Sequence, residues 1–254
     1  MTEPTPSDES RRVRLAAFNA HLRACRKCHA AGFLDDRESV PAAFDGEPDA
    51  PVPRILLIGQ APGLKGARIA RPFEGPSGEK LRAWFEAGGI PREDFWRKIH
   101  FAAVTRCYPG RLPGARGDRL PSPAERALCR PWLDEVVDLI RPEVVLLLGL
   151  LAIRTALGPV PSLSAVVGTA RESGGVRYLP LPHPSGVSRW LNDPPNIEAV
   201  VRAMIHLRRW VDELVLQPQE FDLLVLLLPG LVVRRLGHLV PPDMVVHQFD
   251  GPLQ

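Results

Sequence analysis

The chain has 254 residues, 45% of them hydrophobic and 24% charged, a composition that excludes a low-complexity polymer and suits one globular domain with extra segments. A formal net charge of +3 and a pI near 8.8 permit a polyanionic partner but are too small an excess to demand one. Most of the positive charge is arginine, which forks well on to phosphate, although a GC-rich genome would enrich it equally.

The opening MTEPTPSDESRRVR is polar and rich in Pro and Ser, without the apolar centre of a secretory signal, so a cytoplasmic protein is expected. Residues 11–24 place Val13, Leu15, Phe18 and Leu22 at helical spacing and predict a first helix running into Cys25. Residues 30–53 read as a long loop. RILLIG (54–59) has the unbroken apolar character of a strand buried on both faces, and HFAAVTRC (100–107), EVVLLLG (143–149) and VRYLPLP (176–182) repeat it.

Helical patterns lie between them at 77–89, 123–140 and 151–158. The second is announced by Ser122 as N-cap, with Pro123 and Glu125 in its first turn. This alternation predicts an α/β fold: three layers, α/β/α, around a central, mainly parallel four-stranded sheet, with ligands beyond the carboxyl ends of the strands. Residues 1–19 form a polar tail and helix start, 20–212 the main domain, and 213–254 an unassigned extension. The apolar run at 221–233 contains Pro229 and Gly230 and is shorter than the ~20 residues of a membrane span, so it reads as a core-packing extension and no membrane association is expected.

In a reducing compartment the four cysteines are expected to bind metal or stay free. Cys25 and Cys28 form a C-x-x-C pair, Cys107 closes the second strand and Cys129 lies in the next helix. Four soft thiolates suit a tetrahedral zinc or an iron-sulfur cluster, and spacing does not choose between them. Two unrelated pairs of buried thiols are the plainer alternative. CRKCH also matches a c-type haem attachment site with His29 as ligand, but that reading lacks an export signal and leaves Cys107 and Cys129 without a task.

Two loops follow strand ends. In the first, Gly59 and Gly63 bracket Gln60, Ala61 and Pro62, a tight turn able to present backbone N–H groups, and Phe73 follows in RPFEGPSG. The second is LPHPSG (181–186). Alone, each reads as an ordinary loop, with Phe73 covering the core.

Together, Gly-x-Ala-Pro-Gly, Pro-Phe-x-Gly, a strand ending in Arg-Cys-x-Pro and a final His-Pro-Ser resemble the iron-sulfur uracil-DNA glycosylases, usually numbered groups four and five. The resemblance covers roughly residues 20–212 and extends to GIPRE at 89–93 and the PSPAERALCRPWL helix. It implies a monomeric enzyme that flips uracil out of DNA and hydrolyses its bond to the sugar. A [4Fe-4S] cluster would be held by Cys25, Cys28, Cys107 and Cys129, with zinc as second choice. Phe73 would stack on the base, His183 and Gln60 would act in catalysis, and Gly59, Ala61, Pro62, Gly63 and Ala103 would line the base pocket. Ser185, Arg189 and Arg71 would hold phosphates, and Val187, Trp190 or Leu191 would fill the gap left by the flipped base.

The chain departs from the family pattern in two places, the 59–63 loop and Ala103. Many group-four members carry Glu where Gln60 stands, and the large first group has Asp where Ala61 stands, so this loop has no carboxylate for water. Ala103 replaces the Asn that reads the pyrimidine edge in group four, which points towards the wider base range of group five. Glu74 is a candidate substitute carboxylate. The competing expectations are a non-catalytic binder of uracil-containing or abasic DNA, and a zinc module lacking any pocket that joins Phe73 to His183.

Overall fold

Four short, mainly apolar runs satisfy their backbone by pairing with one another, and they make up the parallel part of one sheet. A computed structural model of the protein describes residues 8–35, 40–48, 50–115, 117–185 and 189–216; the apolar run at 221–233 lies outside the described residues. In chain order come helices α1 (Asp8–Arg23) and α2 (Lys27–Ala30), strand β1 (Ile55–Gly59), and helices α3 (Leu64–Arg68) and α4 (Pro76–Ala87). A 3₁₀ turn at Arg92–Asp94 runs into α5 (Phe95–Lys98), followed by β2 (Ile99–Ala103), α6 (Pro123–Ile140), β3 (Val144–Leu148) and α7 (Leu150–Leu157). The described part ends with β4 (Arg171–Ser173), β5 (Val176–Leu181), a 3₁₀ turn at Arg189–Asn192, and α8 (Pro194–Leu216).

The sheet order is β2-β1-β3-β5-β4, parallel throughout except for β4, which pairs antiparallel with β5. The four expected strands are therefore joined by a fifth. Arg171, Glu172 and Ser173 of β4 are all exposed, and an edge strand without an apolar face leaves no alternating pattern to read. Residues through Val211 make up one compact unit; Asp212 begins a second, of which only the last residues of α8 are described. Among the described residues no helix is long and apolar enough to cross a membrane.

Alternation along the strands divides the core. Leu56, Ile58, Ala102, Val145 and Leu147 meet Leu15, Phe18 and Leu22 of α1 and Leu133 and Val136 of α6. On the opposite face Phe101 packs against Phe95, which in turn meets Phe85 of α4. A Cβ on Gly88 would strike Leu207, which marks how closely α8 approaches the end of α4. Successive crossovers leave β1 on either side, towards β2 and towards β3, so the switch point of this sheet lies at the carboxyl end of β1.

Helix α6 carries the cap expected from its sequence. The Ser122 hydroxyl accepts from the Glu125 N–H at 3.2 Å, and the Glu125 carboxylate accepts from the Ser122 N–H at 2.8 Å. Ser122→Ala is expected to lower stability by about 1 kcal/mol. The check is the urea midpoint at unchanged slope; an unmoved midpoint would show that the box contributes nothing.

Candidate active site

The carboxyl ends of β1, β2, β3 and β5 open into one cavity of about 920 Å³, lined by the 59–63 loop, Phe73, Ala103, Gly149, His183 and Ser185 among others. It lies at the switch point, where the helices on the two faces leave a crevice. The first loop is stitched to β2's exit by backbone bonds: the Val104 N–H donates to the Gly59 carbonyl at 2.9 Å and the Thr105 N–H to the Gln60 carbonyl at 3.2 Å. Ala103 presents only a methyl group and makes no polar contact through its side chain.

Phe73 is held by force. Its φ is +61°, in the left-handed region that a bulky residue enters at a cost of roughly 1–2 kcal/mol. Three contacts hold it there. Its carbonyl accepts from Arg82 at 3.2 Å; a Cβ on Gly78 would overlap the same carbonyl, so the approach of α4 requires glycine; and the preceding Pro72 carbonyl accepts from Trp96 Nε1 at 3.1 Å. The ring itself packs against Phe101, with centroids 5.8 Å apart, and edge-on against Phe95 at 6.4 Å. One face of the site is thus a fixed aromatic surface, only partly covered by protein.

Arg71 stacks over Trp96 at 4.1 Å and pairs with Glu74 at 3.1 Å and Glu47 at 3.4 Å. Its charge therefore braces the Phe73 loop, and Glu74 is engaged in the same brace.

His183 faces the cavity two residues beyond β5. Its Nδ1 accepts from the Ser185 backbone N–H at 3.2 Å. The ring is open to the cleft but walled by protein, and this desolvation lowers its pKa below the ordinary imidazole range against a weaker opposing pull from Asp118. At neutral pH the ring is uncharged, and with Nδ1 accepting, its single proton sits on Nε2 as a donor.

The Gln60 side-chain amide donates to the Arg119 carbonyl at 3.3 Å. Arg119 makes a two-pronged pair with buried Glu125, 2.7 Å to each oxygen. Burial would raise the Glu125 carboxyl, but the Arg119 and Ser122 bonds outweigh it and hold the pKa below the usual carboxylate value. The segment between Cys107 and α6 is thereby locked down, and it delivers Tyr108, Arg111 and Asp118 to the cavity wall. Sequence reasoning missed these residues, because nothing in a 15-residue proline-rich connection between Cys107 and Pro123 marks which side chain turns inward.

A second cavity is lined by all four cysteines, Cys25, Cys28, Cys107 and Cys129, none of them in a disulfide. Burial, followed by the neighbouring sulfurs, pushes the Cys28 thiol up to about 11 and Cys107 up to about 12; Cys129 is raised as well, chiefly by burial. Four thiols gathered this way cannot ionise together without a bound cation. Arg106 is 3% exposed beside them; its N–H donates to Cys129 Sγ at 3.2 Å, and its buried Nε has no hydrogen-bond partner among the described residues. A buried, partly unsatisfied cation beside four thiols suits a group that carries net negative charge once the sulfurs are ligated. Among the described residues, no three His, Cys, Asp or Glu side chains are arranged to hold a single metal ion.

Of the remaining expected residues, Arg189 is exposed at the start of the second 3₁₀ turn. Trp190 is anchored: its Nε1 donates to Ser164 Oγ at 2.8 Å, and with Leu191 it packs against Val167, Ala199 and Val200. Val187 lies outside the described residues.

Comparison with known proteins gives a consistent set. The family model described as the uracil DNA glycosylase superfamily matches residues 47–207. A type-4 uracil-DNA glycosylase of Thermotoga maritima is 30% identical over 166 residues, covering 65% of this chain and 79% of that protein. A type-5 uracil-DNA glycosylase of Mycobacterium tuberculosis is 32% identical over 203 residues, covering 67% of this chain and 72% of that protein. A type-4 enzyme of Sulfurisphaera tokodaii is 30% identical over 136 residues, 53% of this chain and 54% of its own length.

The strained platform offers a test that needs no ligand. Phe73→Gly and Phe73→Ala both lose the ring, but only glycine relieves the left-handed backbone, so Phe73→Gly should be the more stable of the two by about 1 kcal/mol. Urea midpoints of the two variants measure the difference; Phe73→Ala at least as stable as Phe73→Gly would mean that the backbone is unstrained.

Proposed function

This chain belongs to the uracil-DNA glycosylase superfamily and excises uracil from DNA in repair; we propose that it does so as a monofunctional hydrolase using the cavity between Phe73 and His183. The observation that carries this reading is that one cavity is lined by the 59–63 loop, Phe73 and His183 together. A zinc module with an unrelated nucleotide loop would have no reason to join them.

A base inside a duplex cannot reach such a pocket, so it must be extruded at a cost of a few kcal/mol. Stacking on Phe73 returns about 1–3 kcal/mol of that cost. Cleavage leaves positive charge on the sugar and negative charge on the departing pyrimidine. The Nε2–H of neutral His183 is the donor for the pyrimidine oxygen, and because negative charge grows there only as the bond breaks, the interaction strengthens towards the transition state. Gly59, Ala61, Pro62 and Gly63 shape the floor, and Gln60 holds that floor to Arg119 through its side chain. Ser185 and Arg189 meet phosphate; Arg71 serves the same bound state indirectly, by bracing Phe73. With a methyl at Ala103 in place of an amide, the pocket accepts other deaminated bases besides uracil.

Cys25, Cys28, Cys107 and Cys129 would hold a [4Fe-4S] cluster, which would supply structure by tying the end of α1 and α2, the exit of β2 and the middle of α6 to one another. The enzyme works as a cytoplasmic monomer, with residues 20–212 as its catalytic domain.

Purified without chelators, the protein should be brown, absorb broadly near ~400 nm and contain about four irons per chain. Colourless protein with one zinc would replace the cluster by zinc. Against a uracil-containing oligonucleotide the wild type should leave an alkali-labile abasic site. His183→Ala should depress the single-turnover rate by roughly 10²- to 10³-fold, while DNA affinity at the same salt changes far less. A His183→Ala enzyme of nearly normal rate would remove the histidine from the mechanism. Tight binding of uracil-containing DNA without any scission by the wild type would favour the non-catalytic binder.

A further inference from the structure

Buried N–H donors in folded proteins almost always find an acceptor, so an unpaired one points to something that belongs beside it. Two stand at the cysteine cavity. Arg106 Nε and Trp132 Nε1 are shielded from solvent and have no acceptor among the described residues, and both side chains line the cavity together with Cys25, Cys28, Cys107 and Cys129. Each gives up its water without a protein partner in return, at a cost that is larger for the charged guanidinium.

Both donors are held in place. The Arg106 guanidinium lies over the Phe18 ring at 5.8 Å, with Nη2 3.5 Å from the Trp132 carbonyl. Trp132 meets the same Phe18 ring edge-on at 5.7 Å, and Lys27 Nζ stands 5.7 Å from the centre of the indole. Their attachment points lie beside cysteines: Arg106 immediately precedes Cys107, and Trp132 follows Cys129 by three residues on α6, one turn along the same helix face. The Arg106 backbone N–H already donates to Cys129 Sγ at 3.2 Å. A neutral thiol is a weak acceptor, whereas sulfur that carries charge, as thiolate or sulfide on a metal, takes charge-assisted bonds.

Resting on the cluster reading above, we propose that Arg106 Nε–H and Trp132 Nε1–H are hydrogen-bond donors to the sulfur atoms of the iron-sulfur group and set its reduction potential. In a one-electron couple the reduced member carries one more negative charge, shared by its sulfurs, and donors fixed in a low-dielectric wall stabilise it more than the oxidised member. Both bonds therefore raise the potential, Arg106 through its charge as well and Trp132 through its dipole alone. No bond breaks and no proton moves in this couple; one electron enters from an outside reductant. A single zinc ion in the same place would have no such couple.

The test is voltammetry of the cluster-loaded full chain at a carbon electrode, which supplies the electron, comparing wild type, Trp132→Phe and Arg106→Lys. Trp132→Phe keeps a ring against Phe18 and removes only the N–H; Arg106→Lys keeps the charge and removes the Nε donor. At a fixed potential the ratio of reduced to oxidised cluster should fall about tenfold in each variant, equivalent to a midpoint lower by ~59 mV for a one-electron couple, with iron and sulfide content unchanged. A midpoint that stays at the wild-type value in iron-loaded Trp132→Phe and Arg106→Lys would overturn the proposal. So would loss of iron from Trp132→Phe without a shift in the clusters that remain, or loss of all its iron, since either result would make the indole a packing group instead of a donor. Wild-type protein that carries zinc, or no iron and sulfide, is a separate outcome: it would overturn the cluster reading itself, before any variant is compared.

Discussion

The residues that leave β2, from Ala103 to Cys107, are the constraint on which both sites depend. Their amides run in sequence to Gly59, to Gln60 and to Cys129 Sγ, and the Arg106 carbonyl accepts from Ala42 at 2.7 Å. One short length of backbone therefore sets the floor of the base pocket and one wall of the cysteine site. Arg106 lines both cavities and is buried in the wall between them. Burial lowers its pKa to about 10, and it stays charged at neutral pH. A permanent cation thus stands between the cavity that holds Phe73 and His183 and the four thiols.

The division of labour among the polar groups follows from burial. Two buried groups are paired for position, Glu125 with Arg119 and Arg82 with Glu79. These pairs fix the backbone that forms the cavity wall: Arg82 donates to the Phe73 carbonyl, and Gln60 donates to the carbonyl of Arg119.

What was legible in the sequence was whatever local pattern dictates. Strands in the sheet interior appear as mainly apolar runs, and all four were readable with boundaries shifted by a residue or a few. The capping box of α6 was readable because Ser122, Pro123 and Glu125 are adjacent. The exposed edge strand β4 has no apolar signature and was not. In the site, Phe73 and His183 could be singled out because each sits in a compact motif at a strand end. Asp118 could not, since its direction depends on Arg119 finding Glu125 and on Gln60 finding the Arg119 carbonyl. Arg71 was expected at phosphate; its stacking on Trp96 comes from the 3₁₀ turn and α5, more than twenty residues further along the chain. Sequence pattern carries local geometry well and tertiary charge pairing poorly.

Phe73 is held in its left-handed conformation by protein contacts alone, so the energetic cost of shaping this wall is met during folding. Under the proposed reading a rigid aromatic face would treat all pyrimidines much alike and Ala103 would add no donor or acceptor to tell them apart, so selection would fall earlier, on how readily a base leaves the helix.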